Sequence, residues 1–124
     1  MIALDTSSTI AFLSGERGRD VTAVEKALRF RQGIFPPVVV TELLSDPAVR
    51  SEVGTLIRAV PRLEILDGYW ERASELRALL LRRGLKARLA DTLIAQACID
   101  HDVALVTRDR DFRNFTTHAG LTLQ

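Results

Sequence analysis

Apolar and polar positions follow two different periods along this chain, and the alternation between them forecasts the fold. Short apolar runs at 2–4, 38–40, 63–66 and 103–107 have strand length and are bounded by turn residues. Between them, apolar residues recur three and four apart. Ile10, Ala11, Phe12 and Leu13 follow the hydroxyls of Thr6, Ser7 and Ser8, and Gly15 stops that run. Val21, Val24, Ala27, Leu28 and Phe30 make a second helical set behind Asp20, which reads as a helix cap. Val49, Val53, Leu56, Ile57 and Val60 make a third, starting at Asp46-Pro47 and ended by Pro61. Trp70, Ala73, Leu76, Leu80 and Leu81 mark a helix over 67–83 closed by Gly84, and another runs over 89–101. Pro36 and Pro37 cannot lie inside a helix, and Val38, Val39 and Val40 are β-branched, so a strand is predicted there. It turns directly into a short helix at 41–44, with Glu42 in the first turn. Residues 121–123 read as an edge strand.

Strands that alternate with helices imply parallel pairing and crossover connections. The expected fold class is therefore α/β: a three-layer α/β/α sandwich around a central, mainly parallel sheet. No repeat, low-complexity tract or linker interrupts 1–124, so one domain is expected. Its 124 residues, 47% of them hydrophobic, are ample for a core without disulfides.

Four acids stand where the apolar runs stop. Asp5 closes the first, Glu42 follows the three valines, Asp91 opens the run 92–100, and Asp109 lies just past Thr107. In a parallel sheet, strand ends on one edge line a common crevice. Carboxylates gathered there repel one another unless a cation sits among them. Oxygen-only ligands suit a hard divalent ion, Mg²⁺ or Mn²⁺. Such a site would polarise a phosphodiester and acidify a water, leaving 5′-phosphate and 3′-hydroxyl ends. Each acid also has a plainer explanation. Asp91 could be a helix cap, Glu42 a first-turn carboxylate favoured by the helix dipole, and Asp109 or its neighbour Asp111 a partner for Arg108, Arg110 or Arg113. Asp5 is harder to explain in that way, because a charge directly after a buried strand is penalised by desolvation unless it is partnered.

The formal net charge of +1 argues against indiscriminate coating of nucleic acid. Arginines nevertheless cluster, and Arg82, Arg83, Lys86, Arg88 and Arg110 are weaker candidates for holding a phosphate backbone. A single cysteine, Cys98, lies within an apolar helical run and reads as a buried residue of a protein in a reducing compartment. No basic amino-terminal region with a long apolar stretch is present, so the expectation is cytoplasmic, with no membrane partner. His101 and His118 lack a companion motif and are not expected to be catalytic. Trp70 is expected in the core with Tyr69 partly exposed, and Phe112 and Phe115 as anchors for the Asp109 loop.

Four stretches, Leu4-Asp5-Thr6-Ser7, Thr41-Glu42-Leu43, Leu89-Ala90-Asp91-Thr92-Leu93-Ile94-Ala95 and Val106-Thr107-Arg108-Asp109-Arg110-Asp111-Phe112, resemble in order and spacing the signatures of PIN domain nucleases. The likeness spans essentially the whole chain and is greatest to the short bacterial VapC-type toxins of toxin–antitoxin pairs. It implies Mg²⁺- or Mn²⁺-dependent cleavage of RNA, a homodimer, and neutralisation by a small cognate antitoxin. It implies Asp5, Glu42, Asp91 and Asp109 as the catalytic, metal-binding acids, with Ser7 and Thr107 supporting them and Asp111 an alternative to Asp109. A groove between the helices at 20–30 and 46–60 is the expected antitoxin site. A phosphotransfer receiver would want adjacent acids after its first strand. A dehalogenase-like phosphatase would want an aspartate where Ser7 stands, and a dinucleotide-binding domain a glycine-rich first turn. The remaining alternatives are a PIN-like RNA-processing nuclease that is no toxin, and an inactive RNA- or protein-binding module.

Overall fold

The computed structural model describes residues 1–124. At its centre the apolar segment after Met1 forms β1 (Ile2–Leu4), flanked on both sides by parallel neighbours in the order β2-β1-β3, with β2 at Gly33–Ile34 and β3 at Leu105–Val106. Ile2 and Ala3 pair with Gly33 and Ile34, while Ala3 and Leu4 pair with Leu105 and Val106. Gly33 permits the close approach of β2, since a Cβ there would lie 3.0 Å from Cδ1 of Leu4. Single parallel bridges, Phe35 to Arg62 and Leu105 to Leu123, extend the ladder by one strand on each side. Around it lie α1 (Thr6–Leu13), α2 (Arg19–Arg29), α3 (Pro37–Leu44), α4 (Ser51–Ala59), α5 (Tyr69–Arg82), α6 (Leu89–His101) and α7 (Arg113–Ala119). Packing pairs α1 with α2, α5 with α6, and α3 with both α4 and α6. The result is the expected α/β architecture, a parallel sheet between helices. No helix is long and apolar enough to cross a membrane.

Several predicted elements are corrected. Val38, Val39 and Val40 are helical, because Pro37 sits at the first position of α3, where its missing N–H is no loss. Packing overrides β-propensity there: Val39 and Val40 are buried. Glu42 consequently lies in the second turn of α3, away from the favourable end of the helix dipole. The strand forecast at 63–66 shrinks to the bridge at Arg62, and the one at 121–123 to the bridge at Leu123. Asp46 does not start a helix. Its Oδ1 accepts from the Ala48 N–H at 2.9 Å in a turn, and α4 begins only at Ser51. Residues 113–119 form a helix that the apolar spacing did not announce, so His118 lies on α7 rather than in a loop. The aromatic pair is also reversed. Tyr69 is 2% exposed and donates its hydroxyl to the Leu93 carbonyl at 2.7 Å, whereas Trp70 is 55% exposed. Phe112 and Phe115, expected to anchor the Asp109 loop, are both buried just after it, with ring centroids 5.9 Å apart.

Candidate metal centre

Asp5 leaves the central strand and is the N-terminal cap residue of α1, although its side chain caps nothing. It is 4% exposed, and Oδ2 accepts from Ser7 Oγ at 2.7 Å and from Thr107 Oγ1 at 2.7 Å. Both hydroxyls named by the family likeness therefore reach the same carboxylate oxygen. Thr107 has a second task, because its Oγ1 accepts the Asp109 N–H at 3.0 Å. Asp109 in turn caps a 3-10 turn (Arg110–Phe112), its Oδ1 accepting from the Asp111 N–H at 2.9 Å. A continuous chain of hydrogen bonds thus joins the end of β1 to the loop after β3.

Asp91 approaches from the other side, in the first turn of α6. It is not the cap residue, which is Arg88, and it makes no capping bond. Its Oδ2 is buried and has no hydrogen-bond partner, the one side-chain atom in the protein so placed. Burial is the main cause that pushes the Asp91 carboxyl from 3.8 up to about 6, reinforced by the charges of Asp109, Asp5 and Asp111 and opposed by Arg88. One carboxylate oxygen from each of Asp91, Asp109 and Asp111 lies within 4.8 Å of the others. Asp111 is already compensated in part: Lys86 Nζ lies 2.9 Å from its Oδ2 and lowers its pKa.

The four acids forecast from sequence are thus not arranged alike. The charges of Asp5, Asp109 and Asp111 all act on Asp91, and one oxygen of Asp111 clusters with those of Asp91 and Asp109. Glu42, on α3, is linked to the site through Thr6, the chain neighbour of Asp5, whose Oγ1 donates to Glu42 Oε1 at 2.6 Å. Thr6 and Lys86 carry no pattern that would mark these contacts in sequence, since 36 residues separate Thr6 from Glu42 and the turn geometry brings Lys86 to Asp111. Arg108 pairs with neither Asp109 nor Asp111. It reaches Asp20 and Glu16 instead. The imidazoles are engaged elsewhere, His101 with the Glu64 carbonyl at 2.7 Å and His118 with Arg83 at 2.9 Å.

These donors fit a hard divalent cation. They are all oxygens, several carboxylates converge, and a buried carboxylate oxygen lacks any partner from the protein. By sequence, residues 2–117 match the family described as PIN domain. The chain belongs to the PIN domain family. PIN domains are nucleases, and divalent-metal dependence is general among them. No curated protein matches this chain by sequence. Among solved structures, the PIN fold here is similar to a chain of VapBC2 from Rickettsia felis, crystallised bound to a DNA fragment from its promoter. That similarity has 20% identity and a TM-score of 0.73, covering 100% of this chain and 98% of the other. It is also similar to VapBC-5 of Mycobacterium tuberculosis, a member of the VapBC family of toxin–antitoxin systems, with 21% identity, a TM-score of 0.66, and coverage of 98% and 95%.

Proposed function

We propose that this PIN domain is a divalent-metal-dependent endoribonuclease and the toxin of a toxin–antitoxin pair, with 1–124 acting as one nuclease domain in the cytoplasm. The buried, unpartnered Oδ2 of Asp91 facing further carboxylates is the observation that carries the reading. An inactive binding module would have no electrostatic reason to maintain such repulsion. Asp5, Asp91 and Asp109 are the primary ligands for Mg²⁺ or Mn²⁺, and Glu42 the fourth acid, held on the rim by Thr6. Asp111 stands in reserve against Lys86. The cation, when bound, polarises the scissile phosphodiester and acidifies a water.

The protein's own groups do the rest. Ser7 and Thr107 orient Asp5 through one oxygen and so present the other. Asp91 must be deprotonated to bind, and its raised pKa makes that step sensitive to pH near 6. Arg88 and Arg110 are exposed on segments bordering the acids and hold the RNA backbone by charge, a contact that positions a strand without reading its bases.

Two partners complete the proposal. The cognate antitoxin docks in the cleft between α2 and α4, lined by Ala27, Leu28, Leu56, Ala59 and Val60, with Phe30 and Leu56 exposed beside it. A second copy of the chain docks on α5, where Trp70, Leu81 and the adjacent Leu89 expose an apolar strip. Glu71 and Glu75 lie toward one end of that helix and Arg82 at the other, none of them in an ion pair within the chain. Two such helices are self-complementary only when antiparallel about a two-fold axis.

Asp5→Asn is the direct test. It is isosteric, so folding is expected to survive while RNA cleavage and Mn²⁺ affinity are lost. RNA cleavage at the wild-type rate by the purified variant would refute the assigned role.

A further inference from the structure

The hydrogen bonds at the metal centre have a counterpart one residue further along each segment. Ser7 and Thr107 both reach Asp5, forming an inner tier. Their chain neighbours Ser8 and Arg108 both reach Asp20 on α2. Ser8 Oγ donates to Asp20 Oδ2 at 2.8 Å, and Arg108 Nε donates to the same oxygen at 2.8 Å. Arg108 Nη2 donates to Asp20 Oδ1 at 3.1 Å, which makes the pair a two-pronged fork. The remaining donors go to Glu16 Oε1 at 3.1 Å and to the Arg17 carbonyl at 3.3 Å. Asp20, forecast as a helix cap, caps nothing: the cap residue is Gly18. Arg108 holds its carboxyl down at about 2, so the clamp stays ionised throughout the range in which Asp91 titrates.

We infer that the Ser8–Asp20–Arg108 clamp positions the Thr107–Asp111 loop, setting where Asp109 stands relative to Asp5 and Asp91. This inference rests on the metal-nuclease reading of the site. The loop leaves β3, whose last residue is Val106, and is short of regular backbone partners until the 3-10 turn at Arg110. Successive side chains in its extended start point to opposite sides, so Thr107 faces the acids while Arg108 faces α2. A planar guanidinium locked by a fork and two further acceptors defines the loop's orientation better than the single Thr107 hydroxyl could. Arg108 touches no acid of the centre, so it is a positioning residue rather than a catalytic one. The turn that supplies two of its acceptors is adapted to it. A Cβ at Gly18 would come within 2.6 Å of Asp20 Oδ1 and 3.2 Å of Arg108 Nη2, at a backbone φ of 153°.

The test compares wild type with Asp20→Asn, Arg108→Leu and the charge-retaining Arg108→Lys, each shown to be folded by circular dichroism. The first readout is amide exchange in the metal-free protein. The N–H groups of Asp109 and Asp111 are protected by the loop's own bonds to Thr107 and Asp109. Their exchange is expected to quicken about tenfold in all three variants, with the amides of β1 unchanged. The second readout is Mn²⁺ affinity by calorimetry, expected to weaken about tenfold or more, as for loss of groups that orient metal ligands. RNA KM is expected to stay near wild type while kcat falls at limiting Mn²⁺ and recovers at high Mn²⁺. Exchange at Asp109 and Asp111 within twofold of wild type would overturn the inference, as would faster exchange with unaltered Mn²⁺ affinity. Arg108→Lys matching wild type in both readouts would also overturn it, because charge alone would then suffice. Wild-type protein that binds no Mn²⁺ would defeat the nuclease reading first and leave the clamp nothing to position.

Discussion

Replacing Asp91 by Asn isolates the electrostatic strain in the acidic centre. Its carboxyl is raised from 3.8 to about 6, first by burial and then by Asp109 and Asp5. A displacement of that size corresponds to about 3 kcal/mol at full ionisation. Asp91 is only half-buried, and solvent screening reduces the figure to roughly 1.5 kcal/mol. The sign follows from proton linkage. The folded state holds this proton more tightly than the unfolded chain, so stability falls as pH rises through the interval from 3.8 to about 6. Below that interval both states are protonated and the penalty is absent; above it the penalty is complete. Asn removes the charge but buries an unpartnered amide, which costs about 1 kcal/mol at every pH. The two effects separate in a double difference: the variant's stability relative to wild type should improve by about 1.5 kcal/mol between roughly pH 4 and pH 7.5. For a domain of this length that is a gain of about 6 °C in relative Tm. Differential scanning fluorimetry without divalent ions measures it. A saturating divalent ion should reverse the ranking, since a hundredfold excess over Kd stabilises only wild type, by about 2.7 kcal/mol. A relative Tm that does not change with pH, or equal stabilisation of both proteins by Mn²⁺, would refute the reasoning.

Cleavage by wild type should rise with pH through the region near 6 as Asp91 loses its proton, and more Mn²⁺ should move that limb to lower pH; an ion-independent profile would argue against Asp91 as a ligand. Reversing one end of α5 with Arg82→Glu should shift the protein from dimer to monomer in sedimentation, and adding Glu71→Arg with Glu75→Arg should restore the dimer; a monomeric wild type would remove the α5 interface from consideration. Cys98 is fully buried, and burial followed by the charge of Asp5 pushes its thiol up to about 12, so native protein should resist a thiol reagent that labels it once unfolded.

Family and chemistry were legible in the chain because they depend on local marks. The short apolar runs, the helical spacing of Val21 to Phe30 and Trp70 to Leu81, and acids placed just beyond buried segments are properties of neighbouring residues. They sufficed for an α/β fold and for acids gathered into a cluster, and the ordered set of four stretches sufficed for the PIN family. The errors arose where local preference met packing. Three β-branched valines after two prolines look extended, yet Pro37 at the start of α3 and burial of Val39 and Val40 make them helical. Tyr69 and Trp70 are equally apolar in sequence. The position of the Leu93 carbonyl, which takes the Tyr69 hydroxyl, determines which of them turns inward.

Charge partners were beyond reach for a related reason. Arg108 had two acids, Asp109 and Asp111, within three residues of it, but it binds Asp20, which is 88 positions away. Lys86 was one basic residue among several until the turn before α6 set it against Asp111. The sequence alone determined which residue types are present and which segments must bury them, because hydrophobic periodicity is a nearest-neighbour property. Only the tertiary structure decided which carboxylates meet, which are neutralised and which is left without a donor, because those outcomes depend on distances of a few ångströms between segments remote along the chain.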